Sequence, residues 1–520
     1  MTNTATRSAC SGCPSSRRAF LSGCAACAAA AGISIAPRAV RAAENAAKTR
    51  IRVVYSLHAV KQPGPDWPNV GFDFGPVMER INGELARRFP AFEFVSSMAT
   101  GDAQAKEILE KDRATPVDGY LVYQMNCWNR VVQAMATSGK PVLYADFQFA
   151  GSGGFLVYTA AFIRGKAKNV GFVASSNFDD LAAAIPCFEQ AKAGGAGFDF
   201  AAAVARTRIQ RTPKAGDLAC KDDNLKVLAP EECIRRMKES KILSVGPEPG
   251  GNAAPIMGIA VVNVPFGELN AAWEAADKDQ SRAIADRWQK AASEVTGVNR
   301  ETLETCAAMY LAQKAILKKY GANAITVNCL GGFYGGFIHA YPCLGFHELN
   351  NEGLVGACER DVRSTATMTA FGALTQGRPG YISDPVIDTA KRQIIYAHCV
   401  ASNRAFGPAG PTNPFQILTH SEDRQGASVR SVLPVGYMTT TLEIAPDRKE
   451  ILFHRAKAVA NDPDDRACRT KLCGEPVGDI EKLFGAWDQW GWHRVTFYGD
   501  LKEGVFALAQ AIGWKIVEEA

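Results

Sequence analysis

The sequence predicts an α/β protein: two doubly wound, parallel-sheet (Rossmann-like) domains followed by a β-rich, barrel-like C-terminal domain. Three observations carry this. From residue 52 onward, short apolar runs alternate with helical patterns, as when strands cross over through helices into a parallel sheet. A second alternating unit starts at Asn169, after a glycine break at Gly151-Ser-Gly-Gly154. After His398 the long helical patterns give way to short β runs, Ile417–His420, Val429–Leu433, Met438–Ile444 and Ile451–His454, the pattern of an antiparallel barrel or sandwich. The implied domains are 43–165, 166–380 and 381–520, behind a leader at 1–42.

The first unit reads as strands at Arg52–Leu57, Phe92–Ser96, Asp118–Tyr123 and Pro141–Ala145, with helices at Gly75–Phe89, Ala103–Lys111 and Asn129–Ser138. The second has strands at Val170–Ala174, Ile242–Val245, Val261–Val264 and Ala324–Asn328. Its helices are expected at Asp179–Ala193, Asn270–Ala292 and Arg300–Lys319, with an irregular insertion over 194–230. Gly246–Gly251 lacks both phosphate-binding glycine fingerprints and reads as a turn. Gly331–His347 is rich in glycine and aromatics, which suits either sugar stacking or core packing under a loop. A closing helix (Leu501–Ile512) and a last strand (Lys515–Val517) end the chain.

The leader carries Ser16-Arg17-Arg18-Ala19-Phe20-Leu21, a soft apolar run to Ala36, and small residues around Ala42. This resembles a twin-arginine export signal. The resemblance implies the twin-arginine export machinery as a partner and a periplasmic or secreted location. The leader's five arginines, with no acids among them, account for the whole formal charge of +5. The remainder is neutral, so nothing points to nucleic acid or an anionic membrane. Eleven of the fifteen cysteines follow the leader. They contain no C-x-x-C pair, which argues against a thiolate zinc or iron–sulfur site. Cys468 and Cys473 could pair in an oxidising compartment.

The chemistry concentrates in Cys358–Cys399. Glu359 and Asp361 open a segment with helical character, Asp384 precedes Pro385, and His398 closes the strand QIIYAH. Twenty-five residues separate Glu359 from Asp384, room for a helix, a turn and a strand. Fourteen more lead to His398, room for a hairpin. Two carboxylates and an imidazole so placed suit a divalent cation. Ordinary capping and turn chemistry with a structural histidine fits the same spacing.

A longer ordered set of motifs resembles the L-fucose/L-arabinose isomerase superfamily: Glu359-Arg-Asp361, Asp384-Pro385, His398-Cys399, Thr419-His420-Ser-Glu422, Cys468-Arg469-Thr470, and His493 with Gly499-Asp500. The resemblance spans roughly residues 50–520. It implies a site for Mn²⁺ or another divalent metal held by Glu359, Asp384 and His493, with His398 as a further ligand. It implies aldose–ketose isomerisation of a free sugar through a cis-enediol, with Glu359 and Asp384 moving the proton. His420 and Glu422 would bind sugar hydroxyls. Trp492 would also face substrate, in place of the first histidine of the family's terminal pair. Arg360 and Asp361 would lie just behind the ligands, and Arg360 could crowd or repel the cation. The family also implies a homo-oligomer, a hexamer in which a neighbour's first domain closes the site. The rival readings are a non-catalytic exported carbohydrate-binding protein on the same scaffold and an exported redox enzyme. The redox reading has no cofactor fingerprint behind it.

Overall fold

The computed structural model describes residues 48–520. The leader and its twin-arginine motif lie outside the described residues. The first sheet contains β1 (Thr49–Ser56), β2 (Phe92–Ala99), β3 (Gly119–Gln124), β4 (Val142–Asp146) and β5 (Val170–Val173), all parallel, in the order β2-β1-β3-β4-β5. Successive side chains of the strands enter two different cores. Val54, Tyr120, Val122 and Tyr144 pack on one face. Ile51, Val53, Leu121 and Leu143 pack on the other. Burial on both faces is why β3 and β4 are unbroken apolar runs rather than alternating ones.

The second sheet is built from β6 (Lys241–Gly246), β7 (Gly251–Ile256) and β8 (Ile259–Pro265), then, after the short β9 (Glu294–Thr296), β10 (Ala324–Val327) and β11 (Val355–Ala357). Its order is β11-β10-β6-β8-β7, parallel except for the antiparallel edge strand β7. Gly246–Gly251 is the turn into that edge.

The C-terminal part settles barrel against sandwich. It contributes β12 (Tyr381–Asp388), β13 (Gln393–His398), β14 (Phe415–Leu418), β15 (Ser428–Ser431), β16 (Met438–Ala445), β17 (Glu450–Asn461), β18 (Thr470–Pro476), β19 (Arg494–Tyr498) and β20 (Lys515–Glu518). Six of them close into a barrel, β16-β19-β12-β13-β18-β17, through the β16–β17 pairing, and β20 adds to β17. Closure removes the exposed edges that an open sheet would leave. β14 and β15 join β9 in a small separate sheet, so a strand from the middle of the chain is tied to the barrel region.

Several local expectations change. The helix expected over 179–193 is two, Phe178–Ala184 and Cys187–Gly194, parted at Pro186, which has no N–H to continue the ladder. The helix expected over 270–292 starts earlier and breaks, as Phe266–Glu274 and Lys278–Ala291, with Asp277 capping the second. The glycine break at Gly151-Ser-Gly-Gly154 opens the helix Ser152–Arg164. The insertion carries a helix, Phe200–Arg211, and the aromatic stretch folds as two short ones, Cys329–Tyr334 and Cys343–Asn351. Cys468 and Cys473 are both free, with Cys473 paired by its backbone into β18 and Cys468 ahead of that strand.

Candidate metal centre

Three of the four central residues come from the barrel. β12 and β13 form the expected hairpin, with Asp384 opposite Ala397 and His398 at the end of β13. β12 also pairs with β19, Ser383 opposite Arg494. Carrying that antiparallel register one step further sets His493 across from Asp384. The fourth residue, Glu359, arrives from the second sheet, two positions past β11.

The turn that delivers Glu359 is tightly made. Gly356 packs so closely that an added Cβ would sit 2.6 Å from the Phe346 Cα. Glu359 and Arg360 then adopt left-handed backbone, φ 65° and 55°. Two such non-glycine residues in succession cost roughly 1–3 kcal/mol each, and the Arg360 N–H donates to the Val327 carbonyl at 2.9 Å to hold them. The helix therefore starts later than the sequence suggested, at Val362, with the Asp361 side chain accepting from the Ser364 N–H at 2.9 Å. The turn sits beyond the carboxyl end of a parallel strand, where α/β sheets hold ligands.

Glu359, Asp384, His398 and His493 present donor atoms that all lie within 4.8 Å of one another. His398 Nε2 is 3.6 Å from Glu359 and 3.7 Å from Asp384. His493 Nε2 is 3.3 Å from Asp384 and 3.7 Å from Glu359. Ligands about 2.1 Å from an octahedral ion stand about 3 Å apart when adjacent and about 4.2 Å when opposed, so these spacings suit a divalent ion. His493 Nε2 is buried without a hydrogen-bond partner, while Nδ1 meets the Asp361 carboxylate at 3.0 Å. That arrangement fixes the tautomer that leaves Nε2 free to ligate.

Charge in this buried place is mutually supported. Burial works against the ionised Glu359, but His398 and His493 hold its carboxyl below the ordinary range. Burial likewise opposes a charge on His493, yet Asp384, Asp361 and Glu359 push it well above the usual imidazole value. A cation among the four residues would take over the role those protons play.

Arg360 does not crowd the cluster. Its guanidinium reaches the end of β6, hydrogen-bonds Ser244 Oγ at 2.9 Å and pairs with Glu248. Asp361 sits directly behind His493. His420 is buried beside Cys399 and 3.5 Å from Asp423, flanked by Phe333 and Tyr341. Glu422 accepts from the Tyr334 hydroxyl at 2.7 Å, and burial pushes its carboxyl up to about 7. Trp492 packs against Trp128 with ring centroids 4.3 Å apart and the planes tilted by 35°. Trp128 follows β3, is left-handed at φ 66° and leaves 44% of its surface exposed. As a lone tryptophan in a loop, it gave no signal in the sequence. Tyr334, by contrast, belongs to the aromatic stretch already singled out. The loop after β1 also reaches this region of the same chain. Val70 N–H donates to the Glu422 carbonyl at 2.8 Å and Arg424 donates to Asn69 Oδ1 at 2.5 Å.

No protein-family model matches the chain. The chain is similar to sulfoquinovose isomerases. Those of Priestia aryabhattai and Priestia megaterium are each 24% identical over 293 residues, 54% of this chain and 64% of theirs. That of Alkalicoccus urumqiensis is 24% identical over 161 residues, 30% of this chain and 36% of its own. The chain thus spans 64% of the length of the curated relatives named first. A sugar ABC transporter structure from Yersinia enterocolitica, 11% identical over 57% of this chain and 69% of its own, superposes with a TM-score of only 0.16.

Proposed function

We propose that this chain is a divalent-metal-dependent aldose–ketose isomerase acting on a free sugar. The observation that carries the reading is the buried convergence of Glu359, Asp384, His398 and His493. The similarity to sulfoquinovose isomerases supports the reaction class. These four residues would hold Mn²⁺ or a similar ion, a choice that follows from a donor set of carboxylates and imidazoles. When bound, the ion supplies Lewis-acid stabilisation of charge developing on the sugar oxygens at C1 and C2.

The chain's own groups do the rest. Glu359 and Asp384 carry the C2 proton to C1 and the O2 proton to O1 by way of a cis-enediol. Glu359 starts ionised because two histidines favour its charged form. Asp361 keeps His493 in one tautomer. Glu422 and His420 bind sugar hydroxyls, and Trp492, backed by Trp128, forms an aromatic wall beside His493. The proposal extends to export by the twin-arginine route to the periplasm or medium, and to a homo-oligomer, a hexamer by family resemblance.

The test is metal analysis of purified protein with ketose formation from an aldose panel that includes L-fucose, L-arabinose and sulfoquinovose. One divalent ion per chain and turnover that Glu359→Gln abolishes are expected. Metal-loaded protein that converts no aldose, and binds sugar equally well as Glu359→Gln, would instead establish the non-catalytic carbohydrate-binding reading.

A further inference from the structure

A cavity of about 490 Å³ opens at the carboxyl ends of β3, β4 and β5 and shares no residue with the metal cluster. Open parallel sheets place ligands at this end of their strands, and the volume is within the usual range of small-molecule sites.

Asp146 and Gln148 line the floor, and each carries one oxygen, buried just beneath the cavity surface, that lacks a partner. Asp146, the last residue of β4, accepts from Ser152 Oγ at 2.8 Å through Oδ2, while Oδ1 is buried with nothing bonded to it. Gln148 donates through Nε2 to the Ile387 carbonyl at 2.9 Å, and its Oε1 is also buried and unpartnered. The two residues are only 7% and 5% exposed. Each orphaned acceptor costs the fold about 1–3 kcal/mol unless a donor meets it.

The rim is cationic. The helix Gly75–Arg88 brings Arg80, Arg87 and Arg88 to the cavity, and Arg466 lies 4.8 Å over the Phe147 ring. Arg87 and Arg88 share Glu84, Arg88 also meets Asp179, and Arg466 pairs with Asp464. Arg80 is the lining cation with no carboxylate partner among the described residues.

We propose that this cavity is a second small-molecule site, built for a hydroxylated anion of sugar size. Its hydroxyls donate to Asp146 and Gln148 as those side chains turn their unpartnered oxygens toward the cavity, and its acidic group meets Arg80 on the rim. Burial pushes the Asp146 carboxyl up to about 7 despite the Ser152 hydrogen bond, and a ligand hydroxyl donating there offsets the desolvation behind that shift.

Titration calorimetry on Glu359→Gln protein in chelator tests the site with the metal centre out of action, so failure of the isomerase reading does not touch the result. The probes are gluconate, glucose 6-phosphate and glucose, which separate a carboxylate source from a phosphate source and both from a neutral polyol. One equivalent of at least one anion binds, and glucose binds more weakly. Adding Arg80→Ala, at an exposed helix position that leaves the fold alone, weakens the anion about tenfold, the loss of one charge-assisted contact. Absence of saturable binding by both anions, glucose binding as tightly as they do, or affinities unmoved by Arg80→Ala would overturn the proposal.

Discussion

Asp361 Oδ2 meets His493 Nδ1 at 3.0 Å and, on its other side, the Ser364 hydroxyl at 2.8 Å. Ser364 Oγ also lies 2.6 Å from Glu443 Oε2, and Glu443 is fully buried in the barrel. Asp361 thus performs two tasks with one carboxylate. It caps the helix Val362–Leu374 and orients a candidate ligand. Asn and Asp cap helices about equally, but only a carboxylate draws the His493 N–H strongly.

The two tasks separate by substitution. Asp361→Asn keeps the cap, so its unfolding midpoint stays near wild type, while the dissociation constant for Mn²⁺ rises about 10- to 100-fold. Asp361→Ala loses the cap as well, and about 1 kcal/mol of stability with it. Metal titration beside chemical denaturation reads both effects.

Glu443 makes stability depend on pH. Burial, reinforced by the Asp361 charge, pushes its carboxyl up to about 7 from an ordinary 4.5. The folded state therefore holds a proton that the unfolded chain has released between those values. By linkage, Glu443's own contribution to stability is full below about pH 4.5, falls as pH rises toward 7 and is gone above it. A neutral Glu443 also completes the chain of donors, O–H to Ser364 Oγ and Ser364 O–H to Asp361. Glu443→Gln preserves that donation without titrating. Its melting temperature will fall less than that of wild type between pH 5 and pH 8, and parallel slopes in thermal scans would refute the assignment.

Arg360 is predicted to be dispensable for the ion. Its pair with Glu248 is partly exposed and worth at most about 1 kcal/mol. Glycine at φ 55° relieves about as much backbone strain. Arg360→Gly should leave stability within roughly 1 kcal/mol and Mn²⁺ affinity unchanged. A large gain in affinity would mean that the guanidinium does repel the cation.

Gly356→Ala should do the reverse. A Cβ there meets backbone at 2.6 Å and the Phe346 side chain at 2.9 Å, neither of which can swing aside. Overpacking of this kind costs about 1–3 kcal/mol. Because the displaced strand leads straight to Glu359, stability and Mn²⁺ affinity should decline together, measured by denaturation and metal titration on the same preparation.

Much of this is legible in the sequence alone. The fourteen residues from Asp384 to His398, ending in the strand QIIYAH, leave room for the hairpin that forms, and the alternating strands and helices announce the two parallel sheets. His493 was legible only through its motif, since nothing local ties it to Asp384 until β19 is seen against β12. The direction of Arg360 was hidden for a different reason. A helical reading of Glu359-Arg360-Asp361 sends the three side chains around a helix, whereas left-handed backbone at the first two sends Arg360 to β6 and leaves Asp361 as the cap. The thiols of Cys468 and Cys473 stay free even though five residues is a plausible disulfide loop. One is fixed within the barrel wall and the other precedes it.

The donor set is divided between two layers, with Glu359 reached from the second sheet and Asp384, His398 and His493 from the barrel. An ion held by all four is a fastener across that seam. A chain interrupted near residue 380 would leave one donor on one side and three on the other, so full coordination certifies that both layers have formed and met. The ion's exchange rate then reports how often the seam opens, a quantity readable by isotope exchange without any substrate.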